Sequence, residues 1–63
     1  MIIRKNYGND EYITMMLTDI KFNEYSLETF LVGKLLDEKG CSEFKSFKTL
    51  SVIMDKNVEV IKQ

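Results

Sequence analysis

The chain has 63 residues, and ten Asp and Glu residues against nine Lys and Arg residues leave a formal charge of −1. It holds no His and a single Cys, which excludes His-dependent catalytic triads, an internal disulfide and a zinc site built from Cys and His. We therefore expect one domain over residues 1–63 that is not an enzyme and that has no catalytic residue, no metal and no cofactor.

The N-terminal third of the chain predicts two strands. Residues 1–5 favour a short first strand, and residues 6–10 are rich in turn formers that reverse the chain. Residues 12–18 alternate as a half-buried strand does. Two sets of side chains then face opposite sides: Ile13, Met15 and Leu17 on one, and Tyr12, Thr14 and Met16 on the other. The alternation slips further on, which predicts a bulge or the end of the strand near Asp19.

A helix is predicted over residues 27–39. Ser26 is a favourable N-cap, and Gly40 is a favourable residue just beyond the C-terminus of such a helix. Apolar side chains recur at helical spacing and would form one stripe: Leu27, Leu31, Val32, Leu35 and Leu36. Phe30 falls outside this stripe, so a helix would leave its side chain away from the main apolar contact.

The C-terminal part predicts a second pair of strands. Residues 41–47 fit either one helical turn or a loop, and both interpretations stay open. Residues 48–54 and 58–62 fit strands, and the turn formers at 55–57 predict a hairpin between them. The resulting order ββαββ predicts an α+β fold, in which an antiparallel sheet of about four strands carries one helix packed on one face.

A surplus of apolar residues predicts a contact surface. One helix covers only one face of such a sheet, and a chain this small usually gains stability from a disulfide, a metal, oligomerisation or a partner. The first two are excluded, which favours a homodimer or a partner protein. The contact candidates lie off the predicted core faces: Tyr12, Met16, Phe30 and Ile53.

The Lys-rich C-terminal half suggests an alternative. Aromatic residues beside cations are the ingredients of a surface that stacks single-stranded nucleic acid. The residues that would carry this binding are Lys45, Phe47 and Lys48. The near-neutral total charge argues against it, because nucleic-acid-binding proteins usually carry a strong positive excess. We therefore place a small dimeric nucleic-acid-binding regulator second.

In size, and in having folding signals without catalytic chemistry, the chain resembles the small proteins that phages and other mobile elements encode to block a host enzyme. The resemblance covers no motif and assigns no residue a role. No apolar run predicts a membrane span or a signal peptide, and one Cys fits a reducing compartment. The leading prediction is a non-enzymatic cytoplasmic protein that occupies a partner protein's surface as an inhibitor, an antitoxin or an anti-defence factor.

Overall fold

The computed structural model describes residues 1–38 and 48–63. These residues form five β-strands: β1 (Ile2–Gly8), β2 (Glu11–Asn23), β3 (Glu28–Glu38), β4 (Thr49–Ile53) and β5 (Val58–Lys62). The strands make one sheet in the order β4-β3-β2-β1-β5, and every neighbouring pair is antiparallel. Within the described ranges there is no helix.

The prediction of an α+β fold was therefore wrong, since residues 28–38 of the segment assigned to the helix form strand β3. The error has a physical cause, because Leu31 and Leu35 are four residues apart, and both a helical stripe and an alternating strand place such residues on one side. In the sheet, Leu31, Gly33 and Leu35 are the buried residues of β3. Ser26 lies in the turn before this strand, and Gly40 lies outside the described residues.

The predicted turns and the predicted bulge are confirmed. The chain reverses after β1 through Gly8, Asn9 and Asp10, whose φ angles are 88°, 53° and 62°. The register of β2 against β3 shifts between Leu17 and Asp19, where the alternation of the sequence slips. The turn at 55–57 is present, but the predicted hairpin around it is wrong, because β4 pairs with β3 and β5 pairs with β1. The segment 41–47 lies outside the described residues.

The short connection between β4 and β5 forces the sheet to curl. In a flat sheet, the four strand spacings between these strands would separate them by about 19 Å. Through the strand registers, Ile53 lies level with Lys21 of β2 and Val58 lies level with Ile13. These levels are about 26 Å apart along a strand, whereas the chain from Ile53 to Val58 reaches at most about 18 Å. The two edges of the sheet must therefore come together.

The core lies inside this curl. Ile3, Met15, Leu31 and Val52 come from four different strands and are at most 6% exposed. Leu17 and Val58 pack against them. A single sheet thus supplies both walls of its own core, so the face that the helix was predicted to cover is covered by the sheet itself.

A buried lysine fastens the curl. Lys5 points inward from β1 and is 6% exposed. Its ammonium group donates a hydrogen bond to the carbonyl oxygen of Ile53 at 2.9 Å and forms an ion pair with Asp55. The ammonium also lies 5.8 Å from the centre of the Tyr7 ring. Lys5 therefore ties the end of β4 and the following turn to β1.

Among the residues that the structure describes, there is no helix with the length and apolar character needed to span a membrane.

Candidate interaction surface

The bulge in β2 divides this strand into two parts with different neighbours. Before the bulge, β2 pairs with β1 and with β3, up to the hydrogen bond from the Leu17 amide to the Met1 carbonyl oxygen at 2.9 Å. After it, only β3 continues beside β2, from Asp19 opposite Val32 to Asn23 opposite Glu28. Residues 19–30 therefore form a hairpin that extends past β1, and we call them the hairpin tip.

Gly33 permits the close approach of β2 and β3 at the bulge. It lies opposite Leu17 and is buried. A Cβ atom at this position would lie 2.1 Å from the carbonyl oxygen of Met16 and 2.9 Å from Cε of Met15. A bulge bends the strand that contains it and increases its twist. The bend in β2 that sets the direction of the hairpin tip therefore requires a glycine at position 33.

Large apolar side chains of the hairpin tip are exposed to solvent. Ile20 and Phe22 on β2 are 58% and 59% exposed. Tyr25 and Leu27 in the turn are 99% and 75% exposed. Directly opposite residues of an antiparallel pair point to the same side, so Ile20, opposite Leu31, continues the inward face of the core. The apolar face of the body thus continues onto the tip, where nothing in the described chain covers it.

The turn of the hairpin tip has a defined conformation. The side-chain oxygen of Asn23 accepts hydrogen bonds from the amides of Tyr25 and Ser26 at 2.9 and 3.2 Å. The carbonyl oxygen of Asn23 accepts a third from the amide of Leu27 at 2.8 Å. Leu27 has a φ of +59°, a left-handed conformation that is unfavourable for a bulky residue. The turn therefore holds an exposed leucine in a strained backbone position.

The outer side of the hairpin tip carries charged residues, and an open groove at the tip has lining residues from both sides of the hairpin. Asp19, Lys21 and Glu28 lie on this outer side, by their registers with Val32, Phe30 and Asn23. The groove has these lining residues: Lys21, Phe22, Asn23, Glu24, Tyr25, Phe30 and Ser51. The tip is therefore apolar on the inner side and mixed on the outer side.

The negative charge of the protein is concentrated at this tip. Asp19, Glu24 and Glu28 stand against Lys21 alone, a net charge of −2, whereas the rest of the chain has eight bases and seven acids. Asp19 accepts a hydrogen bond from the amide of Ile20 at 2.8 Å. Glu24 and Glu28 form no ion pair with any residue in the ranges 1–38 and 48–63.

The four predicted contact residues share the outer face of the sheet. Phe30 and Ile53 are directly opposite each other on β3 and β4, and Ile53 is 40% exposed. Met16 is 45% exposed and lies opposite Lys34, on the same face as Phe30. Tyr12 is half-buried, and its ring lies 4.4 Å from the guanidinium carbon of Arg4. Their role in contact with another molecule stays a prediction.

Of the candidates for nucleic-acid binding, Lys45 and Phe47 lie outside the described residues. Lys48 is exposed, and its carbonyl oxygen accepts a hydrogen bond from the amide of Leu35 at 2.9 Å. Of the three candidates, Lys48 alone lies among the described residues, and nucleic-acid binding stays a prediction.

Sequence reasoning missed the apolar residues of the hairpin tip as a surface. Tyr25 and Leu27 flank Ser26, whose suitability as an N-cap favoured a helix at this point. The slip in alternation that placed Ile20 and Phe22 apart from Leu17 was the signal that could have found them. An interrupted alternation indicates that the strand changes its surroundings.

No group of three or more His, Cys, Asp or Glu side chains within residues 1–38 and 48–63 is arranged to hold a metal ion. The hydrogen bond from Lys5, and then that from the Asn57 amide, hold the pKa of the Asp55 carboxyl below its ordinary value of 3.8. This pair fastens β4 to β1, which is a structural role.

Comparisons with protein-family models, with curated proteins and with solved structures found no match.

Proposed function

We propose that this protein is a non-enzymatic binding module whose hairpin tip occupies an apolar site on a partner protein. The observation that carries the proposal is the exposure of Ile20, Phe22, Tyr25 and Leu27, each more than half exposed at one end of the molecule. Together they present on the order of 500 Å² of mainly apolar surface. The largest apolar patch on a monomer is typically about 300–600 Å² and is often functional.

The shape of the tip favours insertion into a partner. A stable protein complex buries about 800 Å² on each partner, so the tip alone supplies more than half of one side of such an interface. Tyr is enriched among the residues that dominate binding energy, and Phe is enriched in the composition of interfaces. A projecting hairpin fills a groove and so blocks whatever else would enter it. Inhibition of the partner in the cytoplasm is therefore the form of action that we propose.

Affinity measurements on tip variants test this function. A tagged chain would capture partner proteins from lysate, and the purified partner would then be titrated with each variant. We expect Phe22→Ser with Tyr25→Ser to weaken binding by roughly 1,000-fold, because truncating central aromatic contacts typically costs at least about 2 kcal/mol each, and every ~1.4 kcal/mol is a factor of ten. Circular dichroism should stay unchanged, since both side chains are exposed.

The matched control is Ile61→Ser on β5, a strand that pairs with β1 and not with the hairpin tip. Ile61 is 45% exposed, and its loss should leave affinity within about twofold, since most exposed contacts outside a binding centre are nearly neutral. Unchanged affinity of the tip variant would refute the proposed function.

A second copy of the chain is a further partner that we propose, through the outer face. Met16, Phe30 and Ile53 share that face, and a two-fold dimer needs only one self-complementary patch. Sedimentation of the wild type and of Met16→Ser at micromolar concentration tests the dimer. Association that is lost in the variant supports it, and a monomeric wild type overturns it.

A further inference from the structure

We infer that the groove that receives the hairpin tip is an apolar groove of a partner protein with Lys and Arg side chains along one wall. This inference rests on the proposed function and adds the chemistry of the partner. It follows from two features of the tip that occur together, an exposed apolar inner side and an outer side on which carboxylates outnumber the single base, Lys21.

The two features lie on opposite sides of the same hairpin. Ile20 and Phe22 share the inner side with Leu31, because Ile20 is opposite Leu31 and Phe22 is two residues further on. Asp19 and Glu28 lie on the outer side. An inserted hairpin therefore presents its apolar side to one wall of a groove and its carboxylates to the other wall.

The carboxylates need partners once water is removed. Neither Glu24 nor Glu28 has an ion-pair partner within the described ranges, and Lys21 is the single base between positions 19 and 28. Burying an unpaired carboxylate is costly, whereas one that meets a cation at an interface also steers the encounter. A groove without basic residues would be penalised by this excess of negative charge, and a basic wall would compensate it.

The same charges argue against a lipid surface. Exposed aromatic and aliphatic residues at a hairpin tip could in principle enter a bilayer, but cytoplasmic membrane surfaces are negatively charged and attract basic rather than acidic segments. The tip has a net charge of −2, whereas the rest of the chain has a net charge of +1. A groove on a partner protein therefore fits both the exposed apolar residues and the acidic charge of the tip, whereas a lipid surface does not.

The experiment begins with a photo-crosslinking amino acid in place of Tyr25, which is 99% exposed. Crosslinking in lysate, followed by mass spectrometry, identifies the partner and the peptide in contact with the tip. The purified partner is then titrated with the wild type, with Glu24→Gln plus Glu28→Gln, and with Asp10→Asn plus Glu11→Gln. The last pair is the matched control, because it makes the same change in net charge at the other end of β2.

We expect neutralisation at the tip to weaken binding roughly tenfold at low salt and by less at high salt. The control pair should change affinity by less than about twofold, since those charges lie far from the contact. The crosslinked peptide should lie beside Lys or Arg residues. Glu24→Gln alone, at an exposed turn position, should weaken binding in the same direction and guards against a folding defect at Glu28.

Three results would overturn the inference. The first is unchanged or tighter binding of the tip pair, and the second is a crosslinked peptide with no basic residue nearby. The third is co-sedimentation with phosphatidylcholine vesicles that Phe22→Ser abolishes. If Phe22→Ser abolishes binding to the partner while the Glu pair has no effect, the proposed function stands and the basic wall is excluded. If no substitution at the tip alters binding, both the proposed function and the basic wall are excluded.

Discussion

The two parts of β2 carry similar apolar residues but have opposite surroundings. Met15 in the first part is fully buried, whereas Phe22 in the second part is 59% exposed. The first part lies between β1 and β3, and the curl of the sheet covers its inner face. The second part has β3 alone beside it. Hydrophobicity sets what a residue would gain by burial, but the neighbouring strands decide whether burial happens.

The largest effect is expected at Gly33, where the two parts of β2 meet. Gly33→Ala places a Cβ atom 2.1 Å from the Met16 carbonyl oxygen. Because this distance is a steric clash with backbone, the backbone must move to relieve it. We expect a loss of about 3 kcal/mol or more in the free energy of unfolding, a large fraction of a small domain's stability. Thermal unfolding followed by circular dichroism measures it.

Gly8→Ala is the control for a general effect of glycine replacement. Gly8 has a φ of +88°, but nothing lies within 4 Å of its ideal Cβ position. The expected cost is about 1–2 kcal/mol from backbone conformation alone. A Gly33→Ala variant that is no less stable than Gly8→Ala would show that the bulge tolerates a side chain.

The next prediction compares substitutions in the two parts of β2. Met15→Ala should lower the free energy of unfolding by about 2–5 kcal/mol, because it leaves a cavity in the core. Phe22→Ala should change it by less than about 0.5 kcal/mol, as exposed substitutions usually do. Urea denaturation of both variants gives the values. Similar losses at both positions would mean that the hairpin tip is covered in solution.

A smaller effect is expected from the ion pair between Lys5 and Asp55, which helps to hold the curled sheet closed over the first part of β2. Lys5 holds the pKa of Asp55 below its ordinary value of 3.8. A depressed pKa means that the stabilisation is present above the unfolded-state value and is lost as pH falls through the folded-state value. Wild type should therefore exceed Asp55→Asn in Tm at neutral pH, and the difference should shrink below about pH 4. A difference independent of pH would exclude the ion pair as its source.

The smallest effect is expected in the turn of the hairpin tip, and it has the opposite sign. Leu27→Gly should raise the free energy of unfolding by roughly 0.5–1 kcal/mol, because glycine adopts a φ of +59° without the steric cost of leucine. Leu27→Ala removes the same side chain but keeps the strain, so it should bring no such gain. Equal Tm values for the two variants would contradict the strain at this position.

The sequence predicted local features of the fold well. Turn formers at Gly8, Asn9 and Asp10 marked the first chain reversal, and the slip near Asp19 marked the bulge. Both are decided by a few neighbouring residues, through backbone conformations that few residue types adopt and through the two-residue period of a strand. Such signals do not depend on the rest of the molecule.

Features that depend on distant contacts were not predicted. Leu31 and Leu35 fit a helix as well as a strand, and only pairing with β2 on one side and β4 on the other decides for the strand. The inward position of Lys5 was equally hidden, because it depends on Asp55 at the far end of the chain. The failure to predict the exposed hairpin tip had the same cause. A segment that is assigned to a helix cannot also be expected to form one strand of a projecting hairpin.

The ion pair between Lys5 and Asp55 also has a consequence for the order of folding. It joins residues 50 positions apart, and the pairing of Ile2 with Lys62 spans 60 positions. Closing loops of this length costs more conformational entropy than closing the turn between β2 and β3, and sheets rich in distant contacts fold slowly. The local hairpin that carries Phe22 and Tyr25 should therefore form early, while the core is still open. During that interval the chain already presents the surface that we propose binds the partner, before the core has closed.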